Sequence, residues 1–576
     1  MSGDDDFRIR LGRIRSRGGQ RALPIVAQVI AAAQRAGGHV SRRGRIIAPG
    51  RSTFGRGRVA SLRATHRLGH RSRQVVIKAR VIRHDGRASL AAHLKYLQRD
   101  GVTRDGEKGV LFGAEGDGLD RNEFAARCEN DRHHFRFIVS PEDAPQMADL
   151  KTFTRELMAR METDLGTRLD WRAAEHWNTD DPHIHVIVRG VGEDGQNLVI
   201  SRDYISEGMR AVAREIVTRE LGLRSDLDIH ASLERQVEAE RWTEIDRDLS
   251  RTLQRDGVID MAPEPGVRPG GDHTPRMGRL RKLERLGLAS EIAPGQWTLA
   301  DEAQPALRTL GERGDIIKRM HKAMTDHGID RGAASYVLEP DPAQPVIGRL
   351  VDRGLHDELT GRTYAIIDGI DGRTHHVQLP DIEATGDCRP GAIVELRRFE
   401  DRKGRQRVAL AVRSDMDLSA QVRAPGATWL DRRNLASDGR DLGGGFGAEV
   451  RAAMEARAEH LADMGLARRQ GQRIIFARGL LDTLKRRDLD ATAKELSAEI
   501  GLPHAPSKAG EYVAGTVRQR LTLASGRFAM IDDGRSFQLV PWSPSLDRQI
   551  GKHISGVMRG DGGVDWSFGR GRGLGL

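Results

Sequence analysis

Cysteine is nearly absent from these 576 residues: only Cys128 and Cys388 occur, 260 positions apart. Two thiols so far separated exclude a disulfide framework and a cysteine zinc site, and they predict a reducing, cytoplasmic setting. Aromatic residues make up 4% of the chain and tyrosine occurs five times, so a tyrosine close to other reactive side chains stands out. No apolar run approaches the about 20 residues that span a bilayer, which predicts no membrane insertion. Leu23 to Ala33 has the look of a secretory hydrophobic stretch, yet it carries Gln28 and runs into a basic segment, so it reads as a short helix. Apolar content of 38% over this length predicts roughly three to five domains with real cores.

Acidic residues are scarce at one end only. Residues 1–72 hold 16 Lys and Arg against Asp4, Asp5 and Asp6, a net of +13, whereas the whole chain carries +11 and the other 504 residues therefore sum to −2. The basic character is an N-terminal arm rich in Gly and Arg, suited to a polyanion through phosphate neutralisation and counterion release. The alternative is a solvated tail that binds nothing specific.

Against these absences, one histidine-rich run is dense in chemistry: EHWNTDDPHIHVIVRG, Glu175 to Gly190. On a strand, His183 and His185 flank Ile184 and project from one face, while Ile184, Val186 and Val188 supply the buried face. His176 lies seven residues upstream, across a polar stretch ending in Pro182 that reads as a turn. If His176 pairs opposite His183, all three imidazoles share a face; a slip of one residue turns His176 away. Three such rings hold one divalent ion and leave positions open for a substrate phosphate. A histidine-triad nucleotide hydrolase would need a further alternating histidine where Ile187 stands, and the His-Glu-x-x-His of zinc proteases does not occur.

Around this run the pattern mixes strands and helices. Gln74 to Ile82 and His133 to Ser140 alternate as strands; Arg87 to Asp100 has helical spacing of Leu90, Leu94 and Leu97, with a polar, glycine-rich loop after it. Helices are predicted over Met147 to Leu165 and Glu207 to Leu221, with a strand at Asn197 to Ser201. This order predicts an α+β class, an antiparallel sheet with packed helices over residues 73–230. Residues 231–345 read as helical, with Thr274 as N-cap and Pro275 opening a helix whose Leu280, Leu283 and Leu286 form a seam. Its Arg276, Arg279 and Lys282 are expected to point away from the seam, and with SEIAPGQWTL as a wing the segment resembles a winged helix that touches DNA; a merely solvated face is the alternative. A small β unit over 346–420 is echoed at 511–550, where GRTYAIIDGIDGRTHHVQLP parallels GRFAMIDDGRSFQLVP. A helical region over 421–510 separates them, and 551–576 is a Gly-rich tail.

The residue that a bound metal would serve is sought among the few tyrosines. Tyr96, in AAHLKYLQRDG, is the candidate nucleophile; packing beside Leu97 on an amphipathic helix is the competing reading. Three runs in order, LKYLQRDG, HFRFIVSPED and HWNTDDPHIHVIVRG, make residues 73–225 resemble the relaxases, or mobilization nucleases, of the HUH endonuclease superfamily, most closely the P-type class that includes the T-DNA border endonuclease. The resemblance implies a site- and strand-specific nicking-closing enzyme in which Tyr96 cuts single-stranded DNA at a transfer origin, forming a 5′-phosphotyrosyl link for conjugative or mobilization transfer. It implies Mg2+ or Mn2+ held by His176, His183 and His185, and as partners the origin DNA, accessory relaxosome proteins and the coupling protein of a type IV secretion channel. Asn178 stands where the family has an Asp, so Asp180 is the expected carboxylate orienting a ligand imidazole. Arg99, Arg136 and Arg189, beside the three runs, are the expected DNA contacts with Arg276, Arg279 and Lys282. The rival from another class is a non-catalytic DNA-binding accessory or regulatory protein with a structural histidine-bound metal.

Overall fold

The alternating runs do form strands, and their register decides the site. The computed structural model describes residues 39–40, 46–47, 56–57, 71–83, 90–99, 102–177, 179, 181–262, 271–341, 344–401, 404–436, 441–471, 473–560 and 562–567. The Leu23 to Ala33 helix, most of the basic arm, Asn178 and Asp180 lie outside the described residues. The fold is α+β throughout. The first unit runs β1 (Val75–Arg83), α1 (Leu90–Leu97), α2 (Arg121–Cys128), β2 (His133–Pro141), α3 (Leu150–Leu165), β3 (Trp171–His176), β4 (His183–Arg189) and α4 (Met209–Leu221). The strands form one antiparallel sheet in the order β1, β2, β4, β3.

Each face of this sheet is covered. Phe135, Phe137, Val139, Ile184, Val186 and Val188 face α3 and α4, meeting Phe153, Leu157, Met161, Val212 and Ile216 in one core. Ala174 and Ile187, on the opposite face, meet Leu90, Leu94 and Leu97 of α1 and Phe124 of α2. Helix α3 starts where the Asp149 carboxylate accepts from the Lys151 and Thr152 amides and stops at Gly166, whose φ of +64° a side chain would resist. It is shorter at its start than the sequence pattern suggests, because Met147 is extended after a 3₁₀ turn at Ala144–Gln146 and packs into the core from there. Residues expected to be a glycine-rich loop contain α2, capped by Asp120. Asn197 to Ser201 forms only isolated bridges, one of them between Ile200 and Arg56. Arg56 of the arm also pairs with Asp194 at 2.7 Å, so this part of the arm is docked on the domain.

The remainder is a helix-and-sheet unit built twice. Its first copy runs α5 (Asp226–Glu238), α6 (Glu244–Asp256), α7 (His273–Arg285), β5 (Ala289–Ala293), β6 (Gln296–Leu299), α8 (Ala303–Asp326), β7 (Ile347–Asp357), β8 (Arg362–Gly369), β9 (Thr374–Leu379), β10 (Ile393–Glu400) and β11 (Gln406–Ser414). The second runs α9 (Leu418–Arg423), α10 (Trp429–Ala436), α11 (Phe446–Asp463), β12 (Ala467–Gln470), β13 (Arg473–Phe476), α12 (Leu480–Ile500), β14 (Tyr512–Leu523), β15 (Gly526–Asp532), β16 (Phe537–Pro541), β17 (His553–Met558) and β18 (Val564–Ser567). The sheets share one order of five strands, β9, β8, β7, β10, β11 in the first and β16, β15, β14, β17, β18 in the second; in the first, Tyr336–Val337 adds a sixth strand, parallel to β9 at the edge. The repetition is therefore wider than the β motif legible in the sequence. It takes in four helices and the hairpin between the third and fourth, to which Ile259–Asp260 adds a third strand in the first copy, and it extends past residue 550 into β17 and β18.

One polar device is copied atom for atom. Arg279 is buried and clasps both oxygens of Asp246 at 2.7 and 2.8 Å while donating to the carbonyls of Val237, Ala239 and Arg241. Arg457 does the same with Asp431, at 2.8 and 2.9 Å, and the carbonyls of Val422, Ala424 and Gly426. In each copy a threonine, Thr243 or Thr428, hydrogen-bonds the same carboxylate. Arg279 is thus a bolt inside the helical unit rather than a solvent-facing cation. Helix α7 also begins earlier than Thr274, at His273 with Asp272 flanking it, and no side chain caps it.

Candidate active site

Register places the three histidines together. His176 pairs opposite His183, and Ala174 opposite His185, so alternation along the strands sends all three imidazoles to the α1 face. Ring centroids lie 4.4 Å apart for His176 and His185, 4.9 Å for His183 and His185, and 5.6 Å for His176 and His183. All three are buried. The condition set by the hairpin spacing is met.

Backbone carbonyls set which nitrogen of two rings faces inward. His176 donates from Nε2 to the Leu97 carbonyl at 3.2 Å, which leaves Nδ1 as the inward atom; it is buried without a hydrogen-bond partner among the described residues. His183 donates from Nδ1 to the Asp181 carbonyl at 2.9 Å, leaving Nε2 inward. This is how ligand imidazoles are ordinarily held, with the outer N–H anchored and the inner lone pair free. Main-chain oxygens thus orient His176 and His183; Asp180, the sequence candidate for such a role, lies outside the described residues.

A fourth group meets these rings from far along the chain. Glu358, in the turn between β7 and β8, places one carboxylate oxygen 3.0 Å from His183 Nε2 and 3.3 Å from His185 Nε2, while those two nitrogens are 3.1 Å apart. Its other oxygen is 4.0 Å from His176 Nδ1. Donor atoms from all four residues lie within 4.8 Å of one another. An ion with ligands at 2.0–2.2 Å sets neighbouring donors about 3.0–3.5 Å apart, so this donor set and its orphaned Nδ1 fit a divalent cation. Burial raises the Glu358 carboxyl, but the imidazoles of His185 and His183 more than reverse this and hold it well below the usual carboxylate range. Burial also depresses His176 and His185, which favours their neutral, ligating forms. His183 departs the other way, because Glu358 and the Asp181 carbonyl outweigh its burial.

Tyr96 ends α1 beside this cluster. The carbonyl of its neighbour Leu97 is the anchor of His176, and the Tyr96 hydroxyl accepts from the Leu355 N–H at 2.9 Å, three residues before Glu358. Nucleophile candidate and histidine face therefore meet the same strand end of β7. Burial raises the Tyr96 phenol, while the Arg99 guanidinium, 4.3 Å above its ring, pulls the other way. Arg99 Nη1 is buried without a hydrogen-bond partner among the described residues. The other tyrosine of this unit, Tyr204, is buried on the opposite face and donates to Asp164 at 2.9 Å.

The remaining predicted cations are dispersed. Arg136 is buried, donates to His134 Nε2 at 3.0 Å and is pushed down to about 10 by burial and by Arg80. Arg189 grips Asp131 with two bonds of 2.8 and 3.1 Å at the other end of β4 from His183. Arg276 bonds Thr252, and Lys282 lies near Glu238 and Glu240. Of the six, Arg99 alone is placed beside the histidines. Sequence reasoning missed two groups. His93, one helical turn before Tyr96, is buried; burial lowers it first, then Arg136 and His185 nearby. Its i, i+3 spacing from Tyr96 was a usable signal. Glu358 gave none.

Two family models match the chain. Residues 118–223 match "Relaxase: MobA/VirD2-like, nuclease domain", a span that holds all three histidines and begins after Tyr96. Residues 276–403 and 396–575 match "Protein of unknown function (DUF3363)", covering more than half the chain. No curated protein and no solved structure matches it. Among the described residues no helix is long and apolar enough to cross a membrane.

Proposed function

The chain belongs to the DUF3363 family, whose description names no activity, and we propose that its function resides in the relaxase-like unit: metal-dependent nicking and closing of single-stranded DNA at a transfer origin, with Tyr96 as nucleophile. The observation that carries this reading is the His176–His183 register, which gathers three imidazoles beneath the end of the helix that bears Tyr96.

In this reading the Tyr96 oxygen attacks the scissile phosphorus. A new P–O bond to tyrosine forms as the bond to the 3′ oxygen breaks, leaving a 3′-OH and a 5′-phosphotyrosyl link. Reversal restores the strand with no nucleotide consumed, because the phosphodiester energy is kept in the covalent intermediate. His176, His183 and His185 would hold Mg2+ or Mn2+, which when bound polarises phosphate oxygens and offsets charge in the transition state. All-imidazole ligation favours Mn2+ over Mg2+. Arg99 favours the phenolate by its charge and offers an unused buried N–H to a phosphate oxygen. Origin DNA, accessory relaxosome proteins and a type IV coupling protein are the partners that go with this activity.

The test is direct. Single-stranded fragments tiled across the DNA flanking the coding region are end-labelled, mixed with protein and Mn2+ or Mg2+, and denatured. A detergent-resistant protein–DNA band from one fragment and one strand is expected. Tight binding with no covalent band from any fragment would instead favour the accessory-protein reading.

A further inference from the structure

The two copies of the helix-and-sheet unit differ where the first long strand turns back. In the second copy Leu523 pairs with Gly526, so Ala524 and Ser525 complete the turn. In the first, Asp357 pairs with Arg362 and four residues, Glu358 to Gly361, make the connection. Aligning the Gly-Arg that opens β8 with the one that opens β15 sets Leu523 at the place of Glu358. The fold closes this hairpin without a carboxylate. Both connections have four residues, Glu358 to Gly361 against Leu523 to Gly526, but only the copy that abuts the histidines leaves all four unpaired and carries the acid.

That turn is built rather than slack. The Asp357 side chain accepts from the amides of Leu359 and Thr360 at 3.0 and 3.2 Å, and the Gly361 N–H donates to the Asp357 carbonyl at 2.8 Å. Gly361 holds φ at +78°, a conformation that side chains rarely adopt. Backbone on both sides of Glu358 is thereby fixed, and its carboxylate is aimed at His183 and His185. Upstream on the same strand, Leu355 engages the Tyr96 hydroxyl, so the hairpin is seated at two points.

We propose that Glu358 is the fourth ligand of the divalent-cation site, donated by the DUF3363 region to a centre whose other ligands belong to the relaxase-like unit. The proposal rests on the metal-site reading above. A carboxylate adds one hard anionic donor to three neutral imidazoles, which reduces the net charge of the bound centre and suits Mn2+ and Mg2+ better than imidazole alone.

Full-length protein is titrated with Mn2+ by calorimetry and by the electron paramagnetic resonance signal of free Mn2+, with no DNA present. Wild type is compared with Glu358→Gln, with His183→Ala, and with a chain whose Glu358 to Gly361 is replaced by the Leu-Ala-Ser-Gly of the second copy. The expected result is one Mn2+ in the wild type and affinity weakened roughly tenfold or more in both Glu358 variants, as for loss of a ligand. The grafted chain uses a connection this fold already forms, so it decides the matter should Glu358→Gln fail to fold. Wild-type affinity in a folded Glu358 variant, with His183→Ala impaired, overturns the proposal and leaves the three-histidine site standing. Wild type that takes up no Mn2+, or binding untouched by His183→Ala, removes the metal-site reading itself.

Discussion

Replacing Tyr96 by Phe removes one oxygen, and the structure says what else goes with it. The hydroxyl accepts from the Leu355 amide at 2.9 Å, so the variant leaves that N–H without its partner where β7 meets α1. An unsatisfied buried donor costs about 1–3 kcal/mol, of which access to water returns part. The phenyl ring keeps its place against Leu97 and under Arg99, and no group that anchors a histidine is altered. The expected profile is a modest fall in thermal midpoint, Mn2+ affinity and DNA affinity within a few-fold of wild type, and complete loss of the covalent DNA band. Tyr204→Phe is the paired control: its hydroxyl bonds Asp164 on the other face of the sheet, so that variant loses some stability and keeps the band. A covalent band from Tyr96→Phe, or its loss from folded Tyr204→Phe alone, would refute the assignment of the nucleophile.

Four further outcomes follow from the same geometry. His183→Ala and His185→Ala should each weaken Mn2+ binding roughly tenfold or more and abolish adduct formation; unchanged titrations would remove the metal centre. Arg279→Ala and Arg457→Ala each strand a buried aspartate and should destabilise their own copy by about 3–5 kcal/mol in urea melts; a loss under about 1 kcal/mol would show that the clasp is not holding the helices. Burial raises the Cys128 thiol to about 12, so below that pH it stays protonated. At pH 8 its thiolate fraction is of order one in ten thousand, and iodoacetamide should label it only once the protein unfolds; rapid native labelling would contradict the packing. Residues 1–38 contain seven arginines, so their deletion should flatten the salt dependence of single-strand binding by at most about 5 in log–log slope without changing which sequence is cut. A shift in cut site would refute a purely electrostatic role.

What could be read from the sequence was whatever is encoded locally. The alternation of Ile184, Val186 and Val188 with His183 and His185 fixed the faces of β4, and the short polar turn made the His176 register a definite condition. Helix α1 was legible from Leu90, Leu94 and Leu97. Local signals were weaker where capping and tertiary packing choose the outcome: α2 lies in a stretch that reads as loop, and α7 starts without a side-chain cap. Charge was the least reliable guide. Arg279 and Arg136 look like surface cations because Arg is usually exposed, yet one satisfies a buried aspartate and three carbonyls and the other packs against His134.

The duplication explains why half of the site escaped sequence reasoning. The Gly-Arg and Ala-x-Ile-Asp matches disclosed two β units, while the helices carry their own shared motif, Gln-Val-x-Ala-x-x-x-Thr-x-x-Asp-Arg at 236–247 and 421–432, which the β comparison did not reach. What they retain is a set of positions, Val237, Ala239, Arg241, Thr243 and Asp246 against Val422, Ala424, Gly426, Thr428 and Asp431, of which three contribute only a carbonyl that any residue would supply. On the proposal above, the function-bearing difference between the copies is concentrated in one turn. A lone glutamate in such a turn is an ordinary surface residue until another unit sets three imidazoles against it, and that apposition exists only in the folded chain.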